Sequence, residues 1–301
     1  MKKFKSSEDK ISTEIDDSSI AETLLGQGNA QEGAKILGVS YDKGTDKLHI
    51  NVREIAKRGL TLKKTKRNLL SMSASIYDPY GIISPIVLPL KLLFQKLCTS
   101  SVSWDDLLDK AVCDLWDKWC LAAQDDKGAS MRRNFLLPGY TKARLVGFSD
   151  ASEVAYSAVV FMVSEDDKGV KQVSFISSKS RIAPLGGQTI PRMELLGALI
   201  LSRLIVKIKE ALLSFVEVSE ILCLTDSTVA LWWIKNTASI YKQFVQERVK
   251  EIRINVGAEC WRHIAGKQNP ADLPSRGCYC NEFDAATFLT GPDWLCQGEE
   301  F

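Results

Sequence analysis

Apolar and polar positions alternate along this chain in two different periods, and the change of period divides it. Residues 1–34 hold few apolar positions among Ser, Asp, Glu and Gly and read as a weakly ordered N-terminal segment. "AKILGVSYDKGTDKLHINV" predicts a β-hairpin, with strands over roughly 35–42 and 47–52 and a turn holding Lys43, Gly44 and Asp46. From about residue 61 the period becomes helical through "TLKKTKRNLLSMSASIYD", stopped by Asp78 and Pro79, and a second helix follows in "PIVLPLKLLFQKLC". Ser103 then reads as the cap of a third helix, "SWDDLLDKAVCDLWDKWCLAAQ", with Asp105 and Asp106 in its first turn at the positive end of the macrodipole. Trp116 and Trp119, three apart, share a face of that helix and read as core.

After Thr141 the order becomes strands at roughly 143–150, 155–164 and 170–178, a long helix after Pro191, a strand at 220–226, two helices to about 254, and a strand at 258–264. Three meandering strands followed by α/β alternation predict an α/β fold, a mixed sheet covered by helices. The expected organisation is a segment over 1–34, a mostly helical region with a small hairpin over 35–140, an α/β domain over 141–280 and a C-terminal tail over 281–301.

Composition narrows the function only a little. With 39 basic against 37 acidic residues the net charge of +2 gives no whole-chain attraction for nucleic acid. Lys179, Arg181 and Arg192, near the start of the long helix, are either phosphate contacts or a solvated basic loop. The adjacent Trp232 and Trp233 face different directions, one towards the core. The eight cysteines show no C-x-x-C spacing and read as reduced thiols; Cys278, Cys280 and Cys296 lack an evident fourth metal ligand. The N-terminus has no apolar signal core, and "IISPIVLPLKLLFQKL" is broken by prolines and lysines, so no membrane span is expected and the chain reads as intracellular.

Four acids interrupt apolar runs. Asp150 ends the strand "LVGFSDAS", and a lone carboxylate there would be costly. Glu194 lies about one turn inside an otherwise apolar helix opened by Pro191. Asp226 ends "ILCLTD", where ligand sites of α/β sheets lie; it or Ser227 also reads as a helix cap. Asp272 in "QNPADLPSRG" has the same two readings. Brought to one sheet edge, four carboxylates repel unless cations neutralise them. Oxygen ligands without His or Cys suit Mg²⁺ or Mn²⁺, and two such ions about 3.5–4 Å apart serve phosphodiester cleavage.

"GFSDASEVAYSAVVF", "SSKSRIAP", "TIPRMELLGALI", "TDSTVALWWI" and "WRHIAGKQNPADLPSRG" resemble the type 1 ribonuclease H domain of BEL/Pao retrotransposon reverse transcriptases. "LLSMSASIYDPYGIISPIVLPLKLLFQ" and "SWDDLL" resemble the thumb and connection region that precedes it, and "KKFKSSEDKI" a segment soon after the polymerase site, so the resemblance covers nearly the whole chain. It implies a five-stranded ribonuclease H-like mixed sheet with helices on both faces. It also implies that Asp150, Glu194, Asp226 and Asp272 hold two Mg²⁺ (or Mn²⁺) ions and that the RNA strand of an RNA/DNA hybrid is cut. Ser152, Ser227 and Asn269 are expected to contact the sugar-phosphate backbone.

Departures from the family shape the reading. The loop "AGKQNPAD" lacks the histidine many relatives carry there, and His263, inside the preceding strand, reads as structural. No Y-x-D-D occurs, so the polymerase site is absent, the chain reads as a retroelement fragment, and a polymerase region in cis or trans is an expected partner. The alternative is an inactive remnant acting as a nucleic-acid or protein binding module. A peptidase label attached to this region of such polyproteins finds no support, because neither "SDAS" nor "TDST" continues into the D-[ST]-G loop an aspartic peptidase needs.

Overall fold

In the computed structural model, which describes residues 35–36, 39–238 and 240–297, the expected hairpin belongs to a larger sheet. The segment expected to be weakly ordered, 1–34, lies outside the described residues. Strands β1 (Lys35–Ile36), β2 (Val39–Asp42), β3 (Lys47–Ile50) and β4 (Ala129–Arg132) pair in that order, all antiparallel. The Asp42 carboxylate closes the β2–β3 turn by accepting from the Gly44 N–H at 2.9 Å, and Asp46 takes the left-handed conformation at φ 50°.

Four helices follow or interleave: α1 (Arg53–Thr61), α2 (Lys66–Ala74), α3 (Ser84–Cys98) and α4 (Lys110–Ala122). Helix α1 crosses α2 and α4 at Gly59, where a Cβ would lie 2.5 Å from Met72 Sδ and 2.6 Å from Cys120 Sγ. Ahead of α3, both Asp78 oxygens accept backbone N–H groups, of Ile82 at 2.9 Å and Ile83 at 2.8 Å.

The third expected helix starts later than its pattern predicts. Asp109, not Ser103, caps it, accepting from the Val112 N–H at 2.8 Å. Asp105 instead grips Arg67 through two bonds of 2.7 and 2.9 Å, and Asp106 accepts from the Ser103 N–H at 3.1 Å. The reason is tertiary: Trp104 and Leu108 bond backbone to backbone with Arg67 and Lys64, which holds 104–108 in a turn against the chain entering α2. Trp116 and Trp119 are buried as expected, and Trp119 Nε1 donates to the Ile86 carbonyl at 2.8 Å.

The second sheet runs β7 (Lys171–Ile182), β6 (Ala155–Glu165), β5 (Lys142–Ala151), β8 (Glu220–Thr225), β9 (Trp261–His263) in spatial order. Strands β5, β6 and β7 are antiparallel, while β8 joins β5 and β9 joins β8 in parallel, giving the expected ribonuclease H-like mixed sheet. Helices α5 (Ile190–Leu212), α6 (Thr228–Lys235) and α7 (Gln243–Asn255) serve one face, where Leu145, Ala158, Val160 and Met162 meet Leu195, Leu199 and Ile205. The opposite face receives α8 (Asp272–Arg276), α9 (Ala285–Thr290) and α10 (Trp294–Gln297) together with α3. There Phe148, Phe161 and Phe175 share one core with Phe288, Trp294 and Leu295 and with Ile82, Ile86 and Leu90. Residues past 280, expected as a tail, therefore cover the sheet through residue 297, because their apolar side chains fill a face left open by β5–β7.

Candidate metal centre

The parallel register of β5 with β8 pairs Ser149 with Thr225, so the next residue of each strand path, Asp150 and Asp226, stand side by side at the same sheet end. Glu194 joins them from α5. That helix lies close on β5 because Gly197 has no side chain: a Cβ there would come 2.9 Å from the Asp150 carbonyl oxygen. The carboxylates of Asp150, Glu194 and Asp226 each offer an oxygen within 4.8 Å of the others.

Asp150 is 3% and Glu194 7% exposed. Burial, reinforced by Asp226 and Asp272 and opposed by the Ser275 hydroxyl and Arg276, pushes the Asp150 carboxyl up to about 7. Burial, then the charges of Asp150 and Asp226, push Glu194 up to about 9 against the pull of the Ala151 N–H. Glu194 Oε2 is buried and has no hydrogen-bond partner. An orphaned acceptor beside two more carboxylates fits a hard cation with oxygen ligands, so these three residues can hold a metal ion.

Asp272 opens α8 beside this group and outside it. Its Oδ1 accepts from Arg276 Nε at 2.6 Å, while its charge still reaches Asp150 and Glu194. Ser227, not Asp226, caps α6, accepting from the Ala230 N–H at 3.2 Å. Asn269, buried, donates to the Ser149 carbonyl at 3.0 Å and to Asp226 Oδ1 at 3.4 Å, and accepts from the Ala271 N–H at 3.1 Å. Ser152 donates to the Ser275 carbonyl at 2.7 Å. His263 Nε2 lies 3.2 Å from the Asp226 carbonyl oxygen, a backbone contact in keeping with its structural reading.

Residues that the pattern did not single out build the rest. Ser275, fully buried, donates to Asp150 Oδ2. Ser157 on β6 donates to the Ala271 carbonyl at 2.5 Å and Ser180 on β7 to the Pro274 carbonyl at 2.6 Å. With Ser152 at the end of β5, the three antiparallel strands each clamp a carbonyl at α8. Gly266 leaves room for Asp226, whose Oδ2 would meet a Cβ there at 2.9 Å. The one available signal was serine inside otherwise apolar buried strands. All eight cysteines are free, and among the described residues none joins a metal-ligating group. Among them, too, no helix is long and apolar enough to cross a membrane.

Sheet order and acids at the strand ends define a ribonuclease H-like protein. A family model, the Pao retrotransposon-like RNaseH-like domain, matches residues 65–227, which is 163 of the 301 residues, and the chain belongs to this family. The matched stretch holds Asp150, Glu194 and Asp226 and extends well upstream of the sheet, while Asp272 lies beyond it. No curated protein matches. Among solved structures, the N-terminal RNase H domain of a Mycobacterium tuberculosis protein aligns at 12% identity over 44% of this chain and 94% of its own, TM-score 0.32. An RNase H1 from Halobacterium salinarum aligns at 13% over 43% and 90%, TM-score 0.28. A foamy viral protease-reverse transcriptase, solved with an RNA/DNA hybrid, aligns at 12% over 77% of this chain and 29% of its own, TM-score 0.44.

Proposed function

We propose that this chain hydrolyses the RNA strand of RNA/DNA hybrids inside the cell, in the cytoplasm or nucleus. Asp150, Glu194, Asp226 and Asp272 would hold two Mg²⁺ or Mn²⁺ ions. The observation that carries the reading is the convergence of three carboxylates from three elements, two of them buried and one with an orphaned oxygen. When bound, the ions would activate a water and stabilise the leaving oxygen of the phosphodiester. Asp150 and Asp226 form the centre, Glu194 supplies the unpartnered oxygen, and Asp272, balanced by Arg276, adds the fourth carboxylate at the rim. Ser275 keeps Asp150 oriented and favours its ionised form.

Substrate grip follows from the hydrogen-bond inventory. A hybrid is held by shape, phosphates and 2′-hydroxyls. Ser227 spends only its acceptor capacity on the helix cap, so its O–H proton is free for a phosphate oxygen. Ser152 and Asn269 use their protons on backbone and Asp226, and serve the substrate by fixing the loops around the acids. With no Y-x-D-D of its own, the chain would act beside a polymerase region in cis or trans.

The test is cleavage of a labelled RNA/DNA hybrid by the full chain with Mg²⁺ or Mn²⁺. The expected products carry 5′-phosphate and 3′-hydroxyl ends, and Asp150→Asn abolishes their formation. Folded wild-type protein that binds the hybrid without cutting it would instead mark a catalytically inactive binding module.

A further inference from the structure

A cleft of about 730 Å³ separates the helical region from the outer edge of the second sheet, and the proposed chemistry uses none of it. Its walls include Lys91 on α3, Ser177, Lys179 and Ser180 on the edge strand β7, Lys207 on α5, and Asp78. All three lysines are exposed, and none makes an ion pair or hydrogen bond among the described residues. The single acid has both oxygens turned onto the N–H groups of Ile82 and Ile83, so three lysines against one aspartate leave the cleft at +2. Burial lowers the ammonium pKa of Lys91 and of Lys179, and Lys207 and Arg181 lower Lys179 further. An anion entering the cleft would relieve the repulsion of Lys179 by Lys207 and Arg181, while Lys91 has only Asp78 to offset its burial.

The cleft lies in line with the acids. Ser180 pairs with Ser157, which pairs with Asp150, and Lys179 is one residue from that line. Two strand spacings put Lys179 roughly 10 Å from Asp150. Lys207 follows Glu194 by 207 − 194 = 13 residues of one continuous helix, or roughly 20 Å. A nucleic-acid strand rises about 3.4 Å per nucleotide, so these lysines stand about three to six nucleotides from the acids. Lysine ammoniums suit phosphodiester oxygens, and no base-stacking platform is needed. The flanking Ser177 and Ser180 hydroxyls donate to the Tyr80 and Pro274 carbonyls at 3.0 and 2.6 Å.

We propose that this cleft binds the phosphate backbone of one strand of the nucleic-acid substrate, with Lys91, Lys179 and Lys207 as its phosphate contacts. The proposal rests on the hybrid-hydrolase reading, and its test separates the two. Binding of a fluorescein-labelled RNA/DNA hybrid of about 20 base pairs is followed by anisotropy in EDTA, with salt varied over about 50–200 mM. Each phosphate contact contributes about 0.9 to the slope of log affinity against log salt, so Lys91→Gln/Lys179→Gln/Lys207→Gln should flatten that slope by about 2–3. A charge-matched control, Lys57→Gln/Lys110→Gln/Lys168→Gln, should leave it unchanged, and both variants should melt cooperatively like wild type. If the cleft variant keeps the wild-type slope while wild type still cuts hybrid in Mg²⁺, the cleft proposal is overturned and the hydrolase reading stands. A polyglutamate peptide whose binding is lost in the cleft variant, with the hybrid slope unaltered, would assign the cleft to an acidic protein and overturn it as well. Wild type that neither binds nor cuts the hybrid would sink both.

Discussion

Asp150 and Glu194 sit where folding and the proposed metal binding would oppose one another. Their carboxyl pKa values rise from 3.8 to about 7 and from 4.5 to about 9, mainly through burial. The folded chain therefore keeps protons that the unfolded chain releases between about pH 4 and 9, and folding stability falls as pH rises through that window. A divalent cation held by the ionised cluster would reverse the sign of this dependence at high pH. Without metal, the melting temperature should be lower at pH 8 than at pH 5.5, and Mg²⁺ or Mn²⁺ should raise it at pH 8. Glu194→Gln should flatten the pH dependence and blunt the metal effect. A thermal melt of wild type that is insensitive to metal at pH 8 would contradict the site.

At the scale of elements, α8 shows how a short helix is held in place. Five residues cannot form a stable helix unaided, since nucleation alone is unfavourable. The hydroxyls of Ser152, Ser157 and Ser180 hold its carbonyls from three neighbouring strands, and α8 in turn carries Asp272 and Ser275 to the acids. Each hydroxyl contributes about 1 kcal/mol, so Ser157→Ala/Ser180→Ala should loosen α8 while the sheet endures. Hydrogen exchange should accelerate at the Ser275 and Gly277 amides, and the metal requirement for cutting should rise. Unchanged protection there would dismiss the clamp. The same elements explain what the sequence makes legible. Asp150 and Asp226 interrupt apolar strands, and Glu194 an apolar helix, so they stand out locally. Ser275 and Gly266 acquire roles only when strands distant in sequence meet them. Helix α1 lies ahead of the helical stretch expected from about residue 61, and its Gly59 has a role only through the crossing with Met72 and Cys120, residues distant in sequence. Strand β4, four residues long without clear alternation, exists only through its pairing with β3.

For the molecule as a whole, the helical region and the second sheet share a core. A buried hydroxyl pair, Ser84 with Ser178 at 2.8 Å, ties α3 to β7, and Gln95 Nε2 donates to the Ala183 carbonyl at 2.7 Å. The Cys278 N–H reaches the Pro85 carbonyl at 3.1 Å, and Gly277, at φ 75°, lies so close to α3 that a Cβ would meet Leu88 and the Pro85 carbonyl at 3.3 Å. The turn that leads out of α8 is thus moulded on α3, and the position of Asp272 depends on both parts. A piece cut at 141–280 would lose Ile82, Ile86 and Leu90 from one side and Phe288, Trp294 and Leu295 from the other. Each large apolar side chain contributes about 1.5–3 kcal/mol on burial, and a domain's net stability is only about 5–15 kcal/mol. The excised piece should therefore bind the dye ANS and melt without a cooperative transition, while residues 35–297 unfold in one step. A 141–280 piece that melts cooperatively and cuts hybrid as the full chain does would show instead that the acids need only their own sheet.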